Sequence, residues 1–123
     1  NMNVAFIFVR PVRYTFGFIE TNDYFSLSFF NDKSKRILNF CGSNSGRDVN
    51  KSKELKMHSI FYENKTIIYE ESDLTFVCRK IYLSDIDPKL FVDKSIDDNY
   101  PKKDYHRMYV GEITEILLND QKR

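Results

Sequence analysis

The chain has 123 residues, 41% hydrophobic and 30% charged, enough for one domain and too few for two. A formal net charge of +1 excludes a global field that would gather nucleic acid or an anionic membrane, so a bound anion must be caught by a local cluster. No apolar run approaches the roughly 20 residues of a membrane span, and no signal-peptide pattern opens the chain, so a cytoplasmic protein is expected.

With 11 Phe, 8 Tyr and no Trp, the core is expected to be rich in sheet. Cys41 and Cys78 stand in unrelated contexts, without close thiol or histidine partners. They read as free, partly buried thiols in a reducing compartment, with no metal between them. Asn1 ahead of Met2 reads as a residue left from cloning, with Met2 as the native start.

Val4 to Val9 is a continuous apolar run of strand length, read as a strand buried on both faces. Pro11 biases Arg10 toward extended backbone and should stop the strand there. A short helix follows from Tyr14 to about Thr21, with Phe16, Phe18 and Ile19 as its apolar members. Arg10-Pro11-Val12-Arg13-Tyr14-Thr15 is therefore a tight basic turn between a strand end and a helix start. Two guanidinium groups, a phenol and a hydroxyl are expected to meet there. A helix start offers free N–H groups and partial positive charge, and arginine forks suit a dianionic phosphate. The alternative is a strand that ends in solvated arginines.

Asn22-Asp23 is a turn signal. Tyr24 to Phe30 reads as a strand, with Phe25, Leu27 and Phe29 on one face. Asn31-Asp32 can cap a helix from Lys33 to Phe40. In Gly42-Ser43-Asn44-Ser45-Gly46-Arg47-Asp48, two glycines bracket small polar residues, a pattern that lets backbone amides approach an anion. Arg47 and Lys51 add charge at its edge, and Asp48 can cap a helix of about 49–55. Alone, this stretch is an ordinary polar loop. With the basic turn, a shared phosphate becomes plausible. Lys53, Lys56 and His58 read as solvated.

Ile60-Phe61-Tyr62, an Asn64-Lys65 turn and Thr66 to Tyr69 read as two short strands. Leu74 to Leu83 is long and β-prone, with Leu74, Phe76 and Cys78 toward a core and Thr75, Val77 and Arg79 on a partly polar face. Ser84 to Tyr100 is the least regular stretch, and its aspartates do not match a calcium loop. A helical turn at Pro88 to Phe91 is expected, Pro88 first, with Phe91 and Ile96 pinning the stretch to the body. From Arg107 to Leu118 the chain reads as a long strand, and Gly111 inside it marks a bulge or a close approach by another group. His106 stands at the strand entrance beside Asp104 and Tyr105. A lone histidine there is more often structural than a ligand contact.

Three stretches in series, Arg10 to Thr15, Ser43 to Asp48 with Lys51, and Asp104-Tyr105-His106 leading to Tyr109-Val110-Gly111-Glu112, carry a likeness. The chain resembles the flavin reductase-like, FMN-binding split-barrel proteins, in the flavoredoxin branch. The resemblance covers nearly the whole chain and implies a mainly β fold with short helices, a Greek-key split barrel forming one domain over 1–123. It implies a homodimer with FMN near the subunit interface. By analogy Arg10, Arg13, Tyr14 and Thr15 would hold the FMN phosphate or line its approach, and Ser43, Ser45, Gly46, Arg47 and Lys51 would complete that end. His106 matches the histidine of a His-x-x-x-x-Gly-Glu strand and would lie near the flavin ring or a nicotinamide donor. The implied activity is electron transfer between flavin and NAD(P)H or another small carrier, the flavin supplying the redox chemistry. Nucleic acid and membrane are not implied partners.

One departure bears on this. Family chains usually begin with further strands before the equivalent of Val4 to Val9, including an Asn/Thr-rich segment at the flavin. Roughly a quarter or more of a typical domain is thus missing from the match. Exposed barrel edges would need covering, as a dimer could do. A different class of protein is therefore kept open, a dimeric structural or binding module with weak or no flavin binding.

Overall fold

The computed structural model describes residues 1–31 and 57–119. Along these residues run β1 (Val4–Val9), α1 (Tyr14–Thr21), β2 (Tyr24–Phe29), β3 (Ser59–Tyr62), β4 (Thr66–Tyr69), β5 (Leu74–Asp85) and β6 (Arg107–Leu118). Two 3₁₀ turns, Pro88–Leu90 and Lys94–Asn99, lie between β5 and β6. The helices expected at Lys33 to Phe40 and about 49–55, Cys41 and the Gly42 to Asp48 loop lie outside the described residues.

Four strands form one antiparallel sheet in the order β1-β6-β5-β2, and β3 and β4 form a separate hairpin. The hairpin closes through Tyr62-Glu63-Asn64-Lys65, where Lys65 N donates to Tyr62 O at 2.8 Å. Glu63 and Asn64 take φ of 47° and 58°, the left-handed pair whose twist matches a hairpin. Ser26 Oγ in β2 donates to Ile67 O in β4 at 2.6 Å and ties hairpin to sheet. The long β5–β6 ladder shifts register twice, between Val77 and Cys78 and between Lys80 and Tyr82. Thr114 falls at the first shift, and its Oγ1 donates to Val77 O at 3.1 Å. Such irregularities increase local bend and twist, so the sheet curls into a half-barrel.

The core lies on the concave face. Phe25, Cys78 and Tyr109 are buried at its centre, with Ala5, Ile7, Val9, Leu27, Phe76 and Ile113 around them. Phe16 and Ile19 of α1 close over this cluster. The glycine signal in β6 has a packing cause: a Cβ on Gly111 would stand 2.6 Å from Cζ of the Phe25 ring and 2.8 Å from Cys78 Cβ.

Several expectations need correction. β1 is buried on one face only. Ala5, Ile7 and Val9 turn inward while Val4, Phe6 and Phe8 are 40%, 56% and 53% exposed, because β1 is an edge strand of a sheet with one core face. The polar face expected for β5 is largely closed, since Thr75 and Val77 are buried between β6 and β2 and only Arg79 of that set is exposed. Thr75 Oγ1 finds Ser72 Oγ at 2.8 Å. Phe18 is exposed, as α1 turns Phe16 and Ile19 to the core instead. Phe29, though exposed, sets its ring edge-on to Phe76. Phe91 packs on Tyr100 and Tyr105 within the loop before β6, whereas Ile96 is exposed.

The far end of α1 is held by charge. Glu20 accepts from Tyr109 OH at 2.6 Å and from Arg107 Nη1 at 2.7 Å. Arg107 Nε also donates to Asp85 Oδ1 at 2.6 Å. Lys80 Nζ donates to Ile19 O at 2.6 Å, at the C-terminal end of the helix, where a cation is favourable. These bonds fix the helix, and with it the turn that precedes it.

Candidate anion-binding site

The basic turn is short and closed. Arg13 N donates to Arg10 O at 3.0 Å, and Arg13 then serves as the extended residue ahead of α1 with no side-chain cap. Pro11 fits because its missing N–H is not needed there.

The Arg10 side chain turns onto the loop before β6. Its Nη2 donates to Asn99 O at 2.6 Å, and its Cζ lies 4.6 Å above the centroid of the Tyr100 ring. Tyr100 OH is 2.6 Å from His106 Nδ1, and the two rings meet edge to face at 87°. Tyr105 and Phe91 pack on the same Tyr100 ring, with centroids 4.7 Å and 6.2 Å away. The loop is built to deliver this ring. Tyr100 N donates to Asp97 O, and Lys103 N donates to Tyr100 O. Lys103 takes a φ of 60°, which reverses the chain between the two tyrosines. Asp97 accepts from Tyr105 OH and from Lys103 Nζ.

Electrostatics follow from that geometry. Burial holds the His106 pKa below its ordinary value, and Arg10 and Arg13 push it the same way while Asp104 opposes them. His106 is therefore an uncharged imidazole at neutral pH. Arg10, Arg13 and His106, from two distant stretches of sequence, thus share one locality. Tyr14 and Thr15 face other groups. The Tyr14 ring stands edge-on to Phe18 at 5.2 Å. Thr15 lines a cavity of about 580 Å³ between α1, β2 and the hairpin, together with Phe18, Phe25, Leu27, Ile67 and Tyr69. Ser43, Ser45, Gly46, Arg47 and Lys51 lie outside the described residues.

Does this donor set fit a phosphate-bearing cofactor? Arg10 Nε is buried without a hydrogen-bond partner among the described residues. A buried orphan donor costs about 1–3 kcal/mol, which an anionic oxygen would recover. The Arg13 side chain, exposed at the turn, makes no hydrogen bond or ion pair among the described residues. The set is cationic, forked and only partly engaged, so it fits.

Sequence reasoning missed Tyr100, which it left as the end of an irregular stretch. The available signal was aromatic. Phe91, Tyr100 and Tyr105 are the aromatic residues of a stretch rich in aspartate and lysine, and such rings need something to pack on.

A family model described as the flavin reductase like domain matches residues 3–123. No curated protein matches at a significant level. Among solved structures, the flavoredoxin from Methanosarcina acetivorans is 22% identical with a TM-score of 0.74, covering 96% of this chain and 54% of that one. The FMN-binding protein from Thermus thermophilus, solved with bound 1-cyclohex-2-enone, is 20% identical with a TM-score of 0.68, over 97% of this chain and 58% of that one. The flavoredoxin of Desulfovibrio vulgaris (Miyazaki F) is 16% identical with a TM-score of 0.71, over 96% and 54%. The chain spans about half the length of these structures. At these identities the likeness is one of fold, the mainly β split barrel. No helix among the described residues is long and apolar enough to cross a membrane.

Proposed function

The chain belongs to the flavin reductase-like family, and from that premise we propose that it binds FMN and passes electrons between the flavin and a reduced nicotinamide or another small carrier. The observation that carries the reading is the buried Nε of Arg10, unpartnered among the described residues and set in a turn that also bears Arg13. Arg10 and Arg13 would take the phosphate, and Tyr14 and Thr15, next in the chain, are proposed to line its approach, Thr15 from the cavity between α1, β2 and the hairpin. Ser43, Ser45, Gly46, Arg47 and Lys51 are proposed to complete that end. His106, held uncharged beside the arginines, adds no competing positive charge and is the candidate contact for the flavin ring or the nicotinamide. Flavin, when bound, supplies hydride and single-electron chemistry, so no side chain need act as a proton-transfer catalyst.

The choice of FMN is supported by the likeness to the FMN-binding protein from Thermus thermophilus. Working as one domain over 1–123, the chain is proposed to form a homodimer, which would cover outward apolar groups such as Phe6 and Phe8. The test is titration of the purified protein with FMN and FAD separately, followed by flavin fluorescence quenching. Saturable quenching by FMN, weakened in Arg13→Ala, is the expected result. Colourless protein that quenches neither flavin would overturn the proposal. That outcome would favour the second reading, a dimeric structural or binding module with weak or no flavin binding.

A further inference from the structure

We propose that Tyr100 is a positioning residue. Its ring carries the Arg10 guanidinium, and its hydroxyl fixes His106 as the Nε2–H tautomer, so that arginine and imidazole are presented as one unit.

Tyr100 is 6% exposed and meets Phe91, Tyr105 and His106 on its ring. Its own orientation is thereby fixed before any ligand arrives. Arg10 rests over that ring and is pinned by Asn99 O, the carbonyl of the preceding residue. Most of the rotational freedom of a long side chain is then already lost, which is what preorganisation requires. Guanidinium favours such a face, since it stacks while leaving its edge N–H groups free to donate.

The tautomer follows from counting donors. A neutral imidazole has one N–H and one bare nitrogen. The phenol of Tyr100 has no other hydrogen-bond partner among the described residues than His106 Nδ1, at 2.6 Å. If Nδ1 carried the proton, the buried phenolic O–H would have no acceptor. If the phenol donates, every proton in the pair is used and the imidazole proton sits on Nε2. The groups facing this imidazole are Arg10 from the end of β1, Arg13 from the turn before α1, Asp104 from its own loop and Tyr100 itself. Both arginines disfavour imidazolium, and a donor into Nδ1 disfavours it further.

The functional meaning rests on the anion seat proposed above, but the tautomer does not, and the test separates them. The chain holds 2 histidines, so long-range proton–nitrogen NMR of the full chain, repeated with His58→Gln, assigns both rings. The expected spectrum shows His106 as the Nε2–H tautomer in the unsubstituted protein. In Tyr100→Phe that bias is lost, and the His106 midpoint rises by roughly half a pH unit or more. An Nδ1–H tautomer in the unsubstituted protein overturns the proposal, even if no Tyr100 variant folds. So does a Tyr100→Phe spectrum with unchanged tautomer and midpoint. On protein that takes FMN, Tyr100→Phe keeps the ring under Arg10 and should hold affinity within about twofold, whereas Tyr100→Leu should weaken it about fivefold or more. Equal FMN affinity in Tyr100→Leu overturns the arginine half. Protein that takes no flavin removes the preceding section's reading and leaves the tautomer result to decide this one.

Discussion

Tyr109 donates its phenolic proton to Glu20 Oε2 across 2.6 Å, joining the centre of the core to the last turn of α1. Tyr109 is fully buried, and burial together with the Glu20 carboxylate pushes its phenol well above the ordinary range. It therefore keeps its proton, and stays a donor, as pH rises through the ordinary phenol range. Because Glu20 also takes Arg107 Nη1, the helix is anchored at the end opposite Arg13. Tyr109→Phe keeps the ring and removes this one bond. Global stability should fall by about 1–3 kcal/mol, read as a lower urea midpoint at unchanged slope. An unchanged midpoint would mean that Arg107 alone holds Glu20.

Gly111 tolerates no side chain where it stands. A methyl group there would press on the Phe25 ring at 2.6 Å and on Cys78 Cβ at 2.8 Å, and both neighbours are buried. Gly111→Ala should cost about 1–3 kcal/mol through overpacking. The cause can be isolated. Phe25→Leu shortens the opposing group, so the double variant should be less destabilised than the sum of the singles. Additive losses would place the strain in the backbone instead.

Strand identity was legible because the patterns are local. The run from Val4 to Val9 and its stop at Pro11 needed only apolarity and proline chemistry, and Gly111 announced its close neighbour without naming Phe25. Burial was less legible, because it depends on a strand's place in the sheet. Phe6 and Phe8 look identical to Ile7 in composition, yet β1 lies at an edge and only alternate residues reach the core. The candidate site was chosen on its charges, and its scaffold was not legible. Arg10, Arg13 and His106 could be chosen from residue type and motif. The proposed role of Tyr100 depends on the reversal at Lys103, a residue whose type gives no warning of a left-handed backbone.

The two histidines should give stability opposite dependences on pH. His106 has a folded pKa depressed below its ordinary 6.5, chiefly by burial. Its contribution is complete above that value and is lost as pH falls through the folded midpoint. His58 is raised from 6.5, first by its hydrogen bond with Glu71, whose Oε2 lies 2.7 Å from Nδ1. Its contribution is complete below that value and is lost as pH rises through the folded midpoint. The two act in adjoining windows, so in the unsubstituted protein their summed contribution is greatest near pH 6.5. Urea midpoints of His58→Gln should therefore climb as pH approaches 6.5 from below, and those of His106→Gln should decline above it. Parallel curves for the two variants would contradict the assignment.

Arg10 and Arg13 should separate stability from binding. Arg10 is engaged within the fold, since it donates to Asn99 O and covers the Tyr100 ring. Arg10→Ala removes a hydrogen bond and a stacked cation, so it should lower stability by about 1–2 kcal/mol before any ligand is considered. Arg13 is exposed and its side chain is not engaged among the described residues, so Arg13→Ala should leave stability within about 0.5 kcal/mol of the unsubstituted protein. Toward FMN each loss should weaken binding by about 1.5–3 kcal/mol, roughly ten- to a hundred-fold, if each fork meets the phosphate. Raised salt should reduce the Arg13 effect more than the Arg10 effect, because Arg10 Nε is buried and screened less. Quenching titrations at two ionic strengths, set beside urea curves for both variants, would show this pattern. Matching losses of stability in the two variants, or an Arg13→Ala titration that overlays the unsubstituted one, would remove Arg13 from the phosphate seat.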